Sequence, residues 1–273
     1  MQQLPVVVQT ILKDYIALFH ERLPNTLEGF YIQGSIALNA YVNESSDIDF
    51  IAIINRRLSG EEVEVLAEIH SIIASNYQKP EMDGVYVLWE DIGKLEADDN
   101  IYPFYNDGEL SYGAYFNSIT WWILKTNGIS ILGPEPTALR FEVDPQLLVS
   151  YVHENMNTYW AQRIQRIESS LGQLLHLSAE EIDFEIEWSI LGLLRQYYTL
   201  KEHNVLSKLG AGEYGLLHLP EEWHQIIKEA INVRKGAGIE FFTSDEQRIE
   251  MALRFSKYII SYCNSSLIQK RIV

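Results

Sequence analysis

The chain has 273 residues, 47% hydrophobic and 12% aromatic, with 21 Lys and Arg against 38 Asp and Glu for a net charge of −17. A chain this long and apolar buries a sizeable core, as one large domain or two ordinary ones, which excludes disorder as its main state. The negative balance repels a phosphate backbone and excludes charge-driven nucleic-acid binding, because that affinity comes from Lys and Arg displacing counterions.

In chain order, the opening stretch up to Pro24 places Lys13 and Asp14 inside an apolar pattern, so it reads as an amphipathic helix rather than a signal peptide. Leu27–Gln33 is a buried strand running into Gly34-Ser35, residues 36–42 a short helix, and Asp47–Ile54 a strand covered on both faces. Ser59 with Glu62 forms a capping box on a helix of about four turns carrying Val63, Leu66, Ile69 and Ile73. Val85–Leu88 is a third strand, completing a compact α/β domain. Gly133-Pro134-Glu135-Pro136 and Asp144-Pro145 interrupt the patterns, placing a boundary near residue 142. Residues 143–273 then read as a four- or five-helix bundle, with helices over Leu147–Leu171, Ile182–Lys201 (capped by Ser178 and Glu181), Glu222–Val233 and Asp245–Tyr262. The expected domains are 1–142 and 143–273, and the first carries 21 acidic and 8 basic residues against 17 and 13 in the second.

The chemistry gathers at strand ends. Asp47 and Asp49, two apart on a strand, project from one face with Cα atoms about 6.5–7 Å apart. Such a pair is an incomplete Mg²⁺ site that nucleotide phosphates would complete. Gly34 lets the backbone approach a ligand closely, and Ser35 heads a helix whose free N–H groups favour a phosphate. Residues 81–109 hold nine acids, Glu81, Asp83, Glu90, Asp91, Glu96, Asp98, Asp99, Asp107 and Glu109, against one base, Lys94; that field suits a polycation. Interleaved aromatics, among them Trp89, Tyr102, Tyr105 and Tyr115, either stack on sugar rings or fill the core. One cysteine, Cys263, excludes an internal disulfide, and no uncharged apolar run reaches the ~20 residues that span a bilayer, so the expectation is a cytoplasmic protein without membrane partners. Neither a Walker loop nor a GxGxxG motif is present, and the seven histidines lack zinc-site spacing.

Gly34-Ser35, eleven residues, then Asp47-Ile48-Asp49 entering an apolar strand resembles the signature of the nucleotidyltransferase (polymerase β-like) superfamily. Within it the chain looks like the aminoglycoside nucleotidyltransferases that adenylylate streptomycin and spectinomycin, which carry a nucleotidyltransferase domain followed by a helical one. The resemblance implies an α+β domain with an all-α bundle behind it, ATP as co-substrate, two Mg²⁺ ions on Asp47 and Asp49, and a cationic aminoglycoside-like acceptor. It implies a third carboxylate at the start of a neighbouring strand, which serves as general base and shares the metal site. Asp83 matches that place, one methylene shorter than the family's Glu, with Glu81 as a possible substitute. Lys208, after the long second-half helix, matches the family's phosphate-contacting Lys, with Arg195 and Arg234 as helpers. Asp183 and Glu187, four apart on one helix face beside Trp188, are candidates for holding substrate amines. The alternatives are a nucleotidyltransferase acting on another small alcohol or a protein side chain, and a non-catalytic relative that senses a nucleotide or drug.

Overall fold

The computed structural model describes residues 4–43, 45–95, 101–113, 116–169, 177–237 and 241–271. Expectations resting on Glu96, Asp98, Asp99, Tyr115 and Leu171 fall outside them. The chain divides into two units, Met1–Val143 and Asp144–Val273; Val143 packs on the first unit's core.

The first unit is a six-stranded mixed sheet with helices. Its elements are α1 (Val6–Arg22), β1 (Leu27–Ile32), α2 (Gly34–Ala37), β2 (Ile48–Ile54), α3 (Gly60–Asn76), β3 (Met82–Val87), β4 (Tyr102–Asn106), β5 (Glu109–Gly113), α4 (Ser118–Asn127) and β6 (Ile129–Leu132). The strand order is β5-β4-β3-β2-β1-β6, with β2 and β3 parallel and every other neighbouring pair antiparallel. Side chains alternate across a strand, so β1 and β2 feed two cores. Phe30, Ile32, Phe50 and Ala52 join Tyr15 and Phe19 of α1 and Leu66 and Ile69 of α3. Tyr31, Ile51 and Ile53 meet Trp121 and Leu124 of α4 with Leu139 and Phe141. The Ser59 and Glu62 capping box is formed at the start of α3.

Several boundaries differ from expectation. The short helix starts at Gly34 and covers four residues, because Asn39 turns left-handed (φ 54°) and stops it. The third strand begins at Met82, three residues early, because parallel pairing with β2 starts at Ile48 opposite Met82. The sequence reading did not anticipate β4, β5, α4 or β6. Pro103 lies inside β4 and argues against a strand in sequence, and β5 is largely exposed, so neither stands out as a buried strand from its residues alone.

The second unit is helical: α5 (Pro145–Asn155), a π-helical turn (Met156–Trp160), α6 (Ala161–Ser169), α7 (Ala179–Glu202), α8 (Lys208–His218), α9 (His224–Lys235) and α10 (Asp245–Arg271). The expected Leu147–Leu171 helix is thus two helices joined through the π turn. α7 packs against α5, α8, α9 and α10, burying Ile182, Ile186, Ile190, Leu191 and Leu194. Its capping box, Ser178 with Glu181, is formed. α8 is the helix that the sequence reading did not assign. No helix among the described residues is long and apolar enough to cross a membrane, and Cys263 is buried as a free thiol.

Candidate active site

The sheet topology assembles the first-unit motif. Antiparallel pairing of β1 with β2 sets the end of β1 beside the start of β2, and the Gln33 N–H donates to the Asp49 carbonyl at 2.9 Å. Parallel pairing of β2 with β3 puts Asp49 directly opposite Asp83. Paired positions point to the same face, so these two carboxylates rise from adjacent strands, with Asp47 just before β2.

Gly34 holds φ at +63°, and a Cβ built there would lie 1.8 Å from Asp49 Oδ2 and 2.4 Å from its Cγ. Only glycine leaves the Asp49 carboxylate in place while turning the chain into α2. Ser35 Oγ is buried and lacks a hydrogen-bond partner. Buried polar groups are normally paired, so an orphaned hydroxyl beside a carboxylate pair suits a ligand's polar atoms.

Asp83 is half-buried and its Oδ1 also lacks a partner. Burial first, then the negative charges of Asp47, Asp49 and Asp107, push its carboxyl up to about 7, while a hydrogen bond from the Asp107 backbone N–H opposes the rise. Asp107 and Gly108 both take positive φ, 50° and 78°, in the two-residue turn between β4 and β5. That hairpin aims the Asp107 amide at Asp83. The sequence reading counted Asp107 only as part of the acidic field; the Asp-Gly pair between two short aromatic or apolar runs was the available signal. Glu81 sits differently, its Oε1 accepting from Lys79 Nζ at 2.6 Å on the exposed side.

Among the described residues no three acidic, histidine or cysteine side chains converge as a ready-made metal site. What is present is an all-oxygen cluster of mutually repelling carboxylates with one orphaned oxygen. That donor set fits Mg²⁺, which is held by one or two carboxylates together with waters and substrate phosphates.

In the acidic stretch, Asp91 is buried and paired with Lys94 at 3.0 Å, and Tyr102 and Tyr105 are buried in the unit. Trp89 is exposed and donates from Nε1 to Glu28.

In the helical unit Glu187 Oε1 accepts from Lys208 Nζ at 2.8 Å and from Arg234 Nη1 at 3.1 Å. The Lys208 ammonium lies 4.9 Å from the Trp188 ring centroid. Asp183 is paired with Arg248, which also meets Glu229 and Asp245. Both carboxylates expected to receive substrate amines are therefore matched to cations of their own unit. Trp188 donates to the Tyr159 hydroxyl at 3.2 Å and stacks on Phe184, which is 55% exposed.

Residues 163–259 match the family model described as the aminoglycoside adenylyltransferase C-terminal domain. The fold is similar to the crystal structure of spectinomycin adenyltransferase AAD(9) from Enterococcus faecialis with ATP and spectinomycin, with a TM-score of 0.66 at 15% identity, covering 93% of this chain and 99% of that one. No curated protein matches the chain in sequence. The resemblance drawn from the Gly-Ser and Asp-x-Asp motifs is thus borne out. The order of an α+β unit followed by a helical one is the expected fold, and residues 163–259 of the helical unit resemble the aminoglycoside adenylyltransferase C-terminal domain.

Proposed function

We propose that this chain catalyses Mg²⁺-dependent transfer of AMP from ATP to a hydroxyl of an aminoglycoside or aminocyclitol, releasing pyrophosphate. The observation that carries the reading is the side-by-side placement of Asp49 and Asp83 on parallel strands, with Asp47 beside them and Gly34 against the Asp49 carboxylate. Asp47 and Asp49 would hold the metal ions, with Asp83 Oδ1 reaching the same site. Bound there, Mg²⁺ supplies positive charge to the triphosphate and the leaving pyrophosphate. Gly34 and Ser35 cradle phosphate oxygens through the close backbone and the orphaned hydroxyl.

Asp83 takes the proton of the acceptor hydroxyl as its oxygen attacks the α-phosphorus. Without metal, burial and the neighbouring carboxylates push the Asp83 carboxyl up to about 7; cations bound to Asp47 and Asp49 would offset that repulsion and favour the ionised, proton-accepting form. The Asp107 amide holds that carboxylate in one orientation. Asp83 is favoured over Glu81 as the base because Glu81 already pairs with Lys79. The acidic field of the first unit raises the local concentration of a cationic acceptor. Catalysis is then mainly positioning and electrostatic stabilisation. The test is transfer of AMP from ATP to spectinomycin or streptomycin with and without Mg²⁺; absence of transfer to both would sink the acceptor class.

A further inference from the structure

A cation stands at the same edge of the first unit's sheet as the carboxylates. In the parallel register Ile48 lies opposite Met82 and Asp49 opposite Asp83, and the Ile48 N–H donates to the Glu81 carbonyl at 2.7 Å. The positions just before the two strands, Asp47 and Glu81, therefore come level as well. Four carboxylate residues, Asp47, Asp49, Glu81 and Asp83, are gathered at two adjacent strand ends. The loop that leads into β3 adds Lys79, whose Nζ donates to Glu81 Oε1 at 2.6 Å.

The reach of this ammonium extends past Glu81. The hydrogen bond to Glu81 comes first, and the charges of Glu81, Asp47 and Asp83 join it against slight burial, holding the Lys79 ammonium above its ordinary value. The ammonium is thus charged at neutral pH and feels members of the cluster from both strands. Its side chain is 47% exposed, so it can turn to solvent when a stronger cation arrives. One ammonium does not neutralise four carboxylates. At Asp83, burial and the charges of Asp47, Asp49 and Asp107 still prevail, and the cluster stays negative.

Resting on the reading that this cluster takes a divalent cation, we propose that Lys79 is its resident counter-ion. Held in place by Glu81, Lys79 offsets part of the negative charge of the empty site and opposes a metal ion that arrives alone. A metal ion that arrives with phosphates brings negative charge of its own, which the ammonium favours. Lys79 therefore biases the site toward loading metal and phosphates together.

The experiment is Mn²⁺ binding to the full chain at low salt without nucleotide, read from the electron paramagnetic resonance of the free ion. Mn²⁺ is the probe because it takes the same oxygen ligands as Mg²⁺. The wild type is compared with Lys79→Met, Lys79→Arg and Glu81→Gln. Lys79→Met should bind Mn²⁺ about two- to fivefold more tightly, the range of an exposed ion pair, and Lys79→Arg should match the wild type. Glu81→Gln should bind it more weakly by a similar factor, because a negative charge is lost and the ammonium is released toward Asp47 and Asp83. Opposite shifts from the two halves of one ion pair are a signature of charge; a merely structural pair would move both variants the same way. At about 1 M salt, where the screening length falls to about 3 Å, the four proteins should converge. Equal affinity in the wild type and Lys79→Met, including no binding by either, overturns the proposal. Shifts of one sign in Lys79→Met and Glu81→Gln, or a difference that survives high salt, overturn it too. Mg²⁺-dependent ATP binding by the wild type, measured in parallel, separates the two failures: where it is present the function stands without this inference, and where it is absent the function falls with it.

Discussion

Replacing Asp83 by Asn tests the carboxylate cluster without any assumption about the acceptor. Its carboxyl rises from 3.8 to about 7 on folding, mainly through burial and then through Asp47, Asp49 and Asp107. A group raised in the folded state contributes stability that is fully present below the unfolded value and is lost as pH climbs through the folded one. The window therefore runs from about pH 4 to about pH 7. Three units at about 1.4 kcal/mol each give about 4 kcal/mol as an upper bound. Asp83 is only half-buried, so solvent screening reduces this to about 2 kcal/mol. Asn has nearly the same shape and no charge to titrate. In metal-free buffer, denaturant unfolding across this window should show the wild type losing about 2 kcal/mol relative to Asp83→Asn. Parallel pH profiles for the two proteins would refute the claim that burial and the neighbouring carboxylates raise the Asp83 carboxyl in the folded state.

Gly34→Ala places a methyl 1.8 Å from Asp49 Oδ2 in a left-handed backbone. The backbone alone costs about 1–2 kcal/mol, and turnover should fall far more than that loss of stability explains; a variant of normal activity would show that the Asp49 carboxylate is not used where it stands. On the opposite face of β3, the Tyr86 hydroxyl bonds both Tyr15 and His70, the latter at 2.5 Å. Tyr86→Phe orphans these buried partners and should cost about 1–3 kcal/mol for each, read by unfolding at neutral pH. Burial holds His70 down at about 3 against an ordinary 6.5, so its neutral form contributes stability above pH 6.5 that is lost as pH falls toward 3. Unfolding curves from about pH 7 downward should show that loss, and a flat acid limb would contradict it.

Much of the first unit could be read from sequence because its signals are local. An apolar strand ending in Gly-Ser, an Asp-x-Asp entering a second apolar strand and a capping box all lie within about one strand or turn of what they specify. The partners of these residues were not legible. Asp83 opposes Asp49 only through the parallel register of β2 and β3, and Asp107 reaches Asp83 only through the β4–β5 turn. The helix α8 escaped notice because Gly210, Gly212 and Gly215 weaken any helical propensity reading. Two of them serve close packing: a Cβ at Gly212 would lie 2.8 Å from Ile231, and one at Gly215 2.7 Å from Leu194. Glu187 and Asp183 show the same limit from the other side. Their spacing on one helix face was visible, but their cations come from α8, α9 and α10, and those pairings set their roles.

The central claim is that this site moves AMP from ATP to a cationic sugar-like alcohol with Asp83 as the base. Its most direct measurement is the mass of spectinomycin after incubation with the protein, ATP and Mg²⁺, made in parallel for Asp83→Asn and Glu81→Gln. The account predicts one adenylyl group added by the wild type and by Glu81→Gln, pyrophosphate released in equal amount, and no product from Asp83→Asn although it still binds ATP. A product formed by Asp83→Asn at the wild-type rate, or lost only in Glu81→Gln, would contradict it.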